Sequence, residues 1–168
     1  MNNKKNLILI LIILVIVILL TLYFLVFQKD REFVVRDKDS FTSQEDYLNY
    51  LEEYKVAQSK DTYGGKTPEE TLNLFVEALK AGNTELASRY FVLSKQNEIK
   101  EDLKQGVESG GIKTFVDIIG DSSNKFDSKK SSVGEYFISV IEKENNSLIL
   151  EIRLSLNSES KLWKIENL

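Results

Sequence analysis

The sequence predicts an α+β fold in which an N-terminal transmembrane helix and a helical stalk precede three to four helices packed on a curved antiparallel sheet of about three strands. Three observations lead to this prediction. Residues 7–27 form an uncharged apolar run, residues 67–120 repeat apolar side chains at helical spacing, and residues 135–168 alternate with the period of strands. Helices that precede an antiparallel sheet in this way are typical of α+β domains.

The apolar run at residues 7–27 contains 21 residues and no charge. At about 1.5 Å per residue, such a helix spans roughly the 30 Å of a bilayer core. Lys4 and Lys5 precede the run and residues 29–32 carry balanced charges, so the positive-inside rule places residues 1–6 in the cytoplasm and residues 28–168 outside. A cleavable signal peptide is the alternative, but its apolar region is usually about 7–15 residues long and ends at a small-residue site that is missing here.

The charge and the residue types narrow the chemistry. Two of the 22 basic residues precede the span and all 26 acidic residues follow it, which leaves a net charge of −6 beyond the span. An acidic domain is repelled by phosphate backbones, so we expect no nucleic-acid partner. The chain has no cysteine and no histidine, which removes disulfides, thiol chemistry and the commonest general base.

Residues 28–66 have the composition of a stalk with one helix at about residues 43–58. Thr42 and Glu45 have the spacing of a capping box at the start of this helix. Residues 59–65 then predict a flexible hinge before the domain. The apolar residues of the helix form a single stripe, which consists of Tyr47, Leu48, Leu51 and Tyr54.

The α+β domain is predicted to occupy residues 67–168, and its helical part carries clear start signals. Residues 67–70 (TPEE) combine an N-cap, a proline at the first helical position and a glutamate at the third. Asn83 and Ser94 are candidate caps of a second and a third helix. A short fourth helix is predicted over residues 112–120.

The strands follow a polar segment. Residues 121–134 (DSSNKFDSKKSSVG) predict a surface loop. Residues 135–144 and 147–156 predict two strands joined by a turn at Asn145-Asn146, and residues 161–168 predict a third. The result is a three-stranded antiparallel meander with one apolar face.

The stretches "TPEETLNLFVEALKAGNTELASRYF" and "SKLWKIENL" resemble the first helical hairpin and the last strand of the nuclear-transport-factor-two-like superfamily. The resemblance covers about residues 67–168 and is nearest to small exported, membrane-anchored members of unknown function. It implies a cone-shaped α+β domain, and it also implies more strands than the three predicted. Enzymatic branches use Asp, His or Tyr inside the cone, but no catalytic residue can be carried over to this chain.

Aromatic side chains inside such a cone either line a ligand cavity or fill a small core. The candidate pocket residues are Tyr90, Phe115, Tyr136 and Trp163. No catalytic, cofactor-binding or metal-binding residue is predicted. Gly65-Lys66-Thr67 matches the end of a phosphate-binding loop, but Lys60 replaces the required first glycine and Pro68 follows the threonine.

Two functions follow as hypotheses. The first is a membrane-anchored extracytoplasmic binding or accessory module without catalytic activity, held in the lipid bilayer by residues 7–27 and contacting a protein or envelope partner. The alternative is a small-molecule-binding or isomerase- or hydrolase-like enzyme that uses the interior of the cone. Self-association through the stalk helix is a further expectation.

Overall fold

The computed structural model describes Val17 and residues 33–168. The chain divides into two compact units, Met1–Val34 and Val35–Leu168. Only Val17, Phe33 and Val34 of the first unit are described, and all helices and strands named below belong to the second.

Five α-helices and four strands make up the second unit. The helices are α1 (Gln44–Lys60), α2 (Pro68–Lys80), α3 (Thr84–Arg89), α4 (Gln96–Ser109) and α5 (Gly111–Gly120). Short 3₁₀ turns at Lys38–Ser40 and Leu93–Lys95 precede α1 and α4. The strands are β1 (Asn124–Ser132), β2 (Glu135–Glu142), β3 (Leu148–Leu156) and β4 (Trp163–Asn167).

The starts of α2 and α3 follow the predicted capping chemistry, whereas those of α1 and α4 do not. The N-cap position of α4 is Lys95 and no side chain caps this helix, so the prediction of Ser94 as its cap is wrong. The Thr67 hydroxyl accepts from the N–H of Glu70, and the Asn83 side chain accepts from the N–H of Leu86, as the sequence predicted. At α1 the cap is Ser43, which accepts from the N–H of Asp46, so the predicted Thr42–Glu45 box is wrong by one residue.

The sheet is a four-stranded antiparallel meander in the order β1-β2-β3-β4. Its inner face packs against α2, whose residues Leu72, Phe75 and Val76 are buried. The most deeply buried apolar side chains are contributed by both layers, and they include Phe75, Phe91, Val140, Ile152, Leu154 and Ile165.

The predicted fold class was wrong about the number of strands. Residues 121–134 were predicted to form a loop, but residues 124–132 form β1 and pair with β2 along their length. Every residue of β1 except Asn124 is exposed, so the strand has no apolar alternation that a sequence pattern could reveal. Main-chain hydrogen bonds to β2, rather than burial of side chains, hold this strand in place.

The transmembrane helix in the predicted fold class is not supported. Among residues 33–168 and Val17, no helix is both long enough and apolar enough to cross a membrane. Apart from Val17, the predicted span at residues 7–27 lies outside the described residues, as do Lys4 and Lys5.

The segment predicted to be a flexible hinge is fixed against β4. The N–H of Trp163 donates to the carbonyl of Gly65 at 2.9 Å, and Gly65 is buried. A Cβ atom on Gly65 would lie 2.7 Å from the backbone nitrogen of Thr71, and one on Gly64 would lie 2.5 Å from the carbonyl oxygen of Trp163. The two glycines therefore allow close backbone approach to α2 and β4.

Candidate functional site

Lys164 is the least expected feature of the sheet, because it is a charged residue that is only 1% exposed. It lies in β4 between Trp163 and Ile165. Since successive strand residues face opposite sides, its side chain leaves the sheet on the face away from Ile165 and the helical core. Lysine is almost never fully buried unless its charge is paired.

The Lys164 ammonium group uses all three of its donors. It donates to Oδ2 of Asp61 at 2.7 Å, to the carbonyl of Tyr63 at 2.8 Å and to the carbonyl of Arg89 at 2.6 Å. Gln96 completes the cluster by donating to the same Asp61 oxygen and to the carbonyl of Phe91. The cluster joins the end of α1, the end of α3, the start of α4 and β4.

Burial lowers the pKa of Lys164 from its usual value, because the low-dielectric surroundings disfavour the charged amine. The negative charge of Asp61 and its hydrogen bond oppose this shift. The ammonium group has all three N–H groups bonded to protein acceptors and therefore none left for a substrate, so Lys164 has a structural role in this arrangement.

A cleft of about 310 Å³ lies beside this cluster, between α1 and the outer face of β3 and β4. Tyr54 and Gln58 of α1 form one wall. The carbonyl of Gln58 accepts a hydrogen bond from Asn157 at 3.1 Å, which holds the end of α1 against the end of β3. The remaining lining side chains come from residues 92–94, residues 155–157, Lys164 and Glu166.

Several hydroxyl, amide and charged groups of the cleft already have partners. Burial raises the pKa of Tyr54, and its hydrogen bond to Ser94 opposes the shift. Glu166 forms an ion pair with Arg153, whose Nε lies 3.3 Å away without making a hydrogen bond, and Nη2 of Arg153 donates to Glu135 at 2.6 Å. Because Lys164 and Glu166 are both paired, the cleft offers hydrogen bonds without an uncompensated charge.

The four predicted pocket residues do not line this cleft. Tyr90 is buried in the core, where burial raises the pKa of its hydroxyl. Phe115 packs edge-on against Phe75, with ring centroids 5.7 Å apart. Tyr136 and Trp163 contact each other on the inner face, with ring centroids 5.9 Å apart.

The interior that the resemblance suggested as a cavity is occupied by packed side chains in the part described. Phe75 is fully buried and contacts Phe91 at a centroid distance of 5.4 Å. Tyr136 lies half-buried at the margin of this inner face and donates its hydroxyl to Glu69 at 2.7 Å. Phe75 and Phe91 therefore fill the core, and a pocket lined by Tyr90, Phe115, Tyr136 and Trp163 stays a prediction.

The apolar stripe of the predicted stalk helix is divided between two environments. Tyr54 is half-buried beside the cleft, whereas Tyr47, Leu48 and Leu51 are 39–51% exposed. Self-association through these exposed residues stays a prediction. Within residues 33–168, no group of three acidic side chains has an arrangement that could hold a metal ion.

Sequence reasoning missed Asp61 and Lys164. Asp61 lies in a polar segment. Lys164 lies at a strand position that the alternation of apolar and polar residues assigns to the solvent-exposed face. The only available signal was that two apolar residues flank Lys164. The sequence could not reveal that α1 and the following segment cover this part of the outer face.

Comparison with models of known protein families, with curated proteins and with solved structures finds no match for this chain. The resemblance to the nuclear-transport-factor-two-like superfamily therefore rests on the sequence patterns alone and stays a proposal.

Proposed function

We propose that residues 35–168 form a non-catalytic binding module whose ligand site is the cleft between α1 and the outer face of β3 and β4. The observation that carries this proposal is the cleft itself, with a volume of about 310 Å³ and walls formed by two separate parts of the fold. Small-molecule sites usually have volumes of about 300–1,000 Å³, so the cleft suits one small chemical group of a larger ligand.

The chemistry of the walls favours an uncharged ligand group that carries hydroxyls and amides. Tyr54, Ser94 and Ser155 bring hydroxyls to the cleft, and Gln58 brings an amide. The hydroxyl of Ser155 makes no hydrogen bond with any described residue, so it is free to bind a ligand. A charged ligand would have to displace the partners of Lys164 or Glu166, which costs free energy.

An N-acetylated sugar has this combination of groups and is the probe we select. Full-length protein is titrated with N-acetylglucosamine, and the backbone amide shifts are followed by NMR. We expect saturable shifts around Ser94 and Ser155. Shifts that do not saturate, or that spread evenly over the sheet, would contradict the proposal.

A pair of serine variants tests the location of binding. Ser155→Leu fills the cleft, whereas Ser139→Leu makes the same change on the outer face of β2, outside the cleft. The first variant is expected to lose binding and the second to retain it. Equal binding by both variants would place the sugar elsewhere.

The location of residues 28–168 outside the cytoplasm stays a prediction from the sequence.

The enzymatic alternative is not favoured by any specific observation, because the interior positions it would use are occupied by core side chains such as Phe75 and Phe91.

A further inference from the structure

The two edges of the sheet differ. Beyond β4, the N–H of Ile165 donates to the carbonyl of Tyr90, and the N–H of Val92 donates to the carbonyl of Ile165, both at 2.9 Å. Together with Gly65, residues 90–92 therefore cover that edge. Beyond β1, no described residue pairs with the strand, so nine residues of backbone form an open edge.

The hydrogen-bond pattern shows which backbone groups are open. The N–H of Lys143 donates to the carbonyl of Ser123, at the point where the register of β1 and β2 begins. In an antiparallel pair, alternate residues bond to the neighbouring strand, so odd-numbered residues of β1 bond to β2. The backbone N–H and C=O groups of Phe126, Ser128 and Lys130 consequently face the open edge.

The side chains of β1 have a charge that contrasts with the rest of the chain. The strand carries Lys125, Lys129 and Lys130 against one acid, Asp127, whereas the whole chain has a net charge of −4. Lys129 and Lys130 form no ion pair within the part of the chain that the structure describes, and Lys125 donates to the amide oxygen of Asn146. Phe126 is 49% exposed on the inner side of the strand.

These features select one class of partner. Lysines on an edge strand oppose pairing with a second copy, because two β1 strands would bring six lysines and two aspartates together. An acidic strand meets the same lysines as complementary charges. An apolar side chain opposite Phe126 would also cover surface that is now exposed.

We propose that the open edge of β1 binds an extended acidic peptide segment of a partner protein, which adds a fifth strand to the sheet. Strand addition of this kind gains affinity from main-chain hydrogen bonds and specificity from alternate side chains. The open edge of β1 is separate from the cleft, so a negative result for sugar binding would not affect this proposal.

The register of β1 defines a probe peptide. The peptide is designed to run antiparallel to residues 125–130. It places acidic residues opposite the three lysines, valines opposite Ser128 and Phe126, and a serine opposite Asp127. The probe is the capped hexapeptide Glu-Glu-Val-Ser-Val-Glu, which is added to the full-length protein. We expect slower amide exchange at Phe126, Ser128 and Lys130, by about tenfold at saturation, and weaker binding at high salt.

Two control peptides separate strand addition from simple charge attraction. The same hexapeptide with N-methylated backbone amides keeps its charge but loses its donors, and is expected not to protect the three amides. The peptide Lys-Lys-Val-Ser-Val-Lys is expected not to bind. Equal protection by the N-methylated peptide would overturn the proposal.

Variants of the protein test the same surface. Ser128→Pro removes one outward N–H without removing a hydrogen bond to β2, as prolines on edge strands do. Lys129→Glu reverses one charge and leaves the backbone hydrogen bonds unchanged. It therefore still tests peptide binding at this edge if the proline variant does not fold. Both are expected to weaken peptide binding at least tenfold, whereas the matched change Lys55→Glu on the exposed surface of α1 is expected to leave it unchanged.

The proposal is overturned if the acidic peptide protects none of the three amides. It is also overturned if the protein without peptide forms a dimer that protects them, because the edge would then bind a second copy of this chain. Retained peptide binding in Lys129→Glu would equally contradict the role of charge.

Discussion

Lys164 and Asp61 join distant parts of the chain, and both side chains are buried. Transfer of both charges out of water is costly, and their attraction offsets this cost only when the remaining donors and acceptors are satisfied. Here the ammonium group has three acceptors at 2.6–2.8 Å. The pair therefore specifies where the end of α1 lies. Removal of one of the two charged side chains should destabilise the fold more than removal of both.

The substitution Lys164→Met tests this role. It leaves the Asp61 carboxylate buried without its partner, so we expect the free energy of unfolding to fall by about 3–5 kcal/mol. The double variant Asp61→Asn/Lys164→Met should recover part of that loss, as measured by urea unfolding. A double variant that is less stable than Lys164→Met would show that the pair is not the cause.

The start of α1 carries a second ion pair, which predicts a dependence on pH. Arg36 donates to both carboxylate oxygens of Asp46, at 2.8 and 2.9 Å. The hydrogen bond from Arg36 is the largest cause that lowers the pKa of Asp46 well below its usual 3.8, and the N–H of Thr42 adds to it. A depressed carboxyl pKa stabilises the fold above pH 3.8, and this contribution is lost as the pH falls toward the folded-state value.

Asp46→Asn should therefore destabilise the protein at pH 7 and make a smaller difference at pH 3. The free energy of unfolding of both proteins, measured at the two pH values, checks this expectation. Glu45→Gln in the same helical turn is the control, because the Glu45 side chain has no partner in the part described. A difference between wild type and Asp46→Asn that grows toward pH 3 would contradict the role of the ion pair.

At the scale of elements, the sequence predicted what local chemistry determines. The N-caps of α2 and α3 and the alternation of β2 and β3 are local patterns, and the structure confirms them. Strand β1 could not be predicted because both of its faces are exposed and its partner supplies the hydrogen bonds. The segment before α2 also escaped prediction, since its glycines permit contact with β4, almost 100 residues away.

The glycine at position 65 should tolerate no side chain. In Gly65→Ala, the new Cβ would lie 2.6 Å from Cβ of Glu70 and 2.7 Å from the backbone nitrogen of Thr71, so the start of α2 would have to shift. We expect a loss of about 1–3 kcal/mol in the free energy of unfolding. Gly120→Ala is the matched control, because nothing lies within 4 Å of its Cβ position, and it should cause no loss. Equal stability of the two variants would argue against close packing at Gly65.

At the scale of the whole molecule, the proposed site depends on α1 being a wall of the domain. The sequence predicted a stalk because the helix is polar over most of its surface, and none of its residues is buried in the structure. Its attachment rests on a few polar contacts with distant residues, namely Asn157 to Gln58 and Lys164 to Asp61. Contacts of this kind leave no periodic pattern, so neither the cleft nor its residues could be predicted.

Amide hydrogen exchange along α1 shows whether this helix packs on the sheet. Exchange at residues 54–60 is compared among the full-length protein, its Lys164→Met variant and a synthetic peptide of residues 43–60. If α1 packs on the sheet, these amides exchange much more slowly in the protein than in the peptide, and Lys164→Met accelerates their exchange. Exchange that is equal in the protein and the peptide, and unchanged by Lys164→Met, would show that α1 is a detached stalk and that the cleft does not exist in solution.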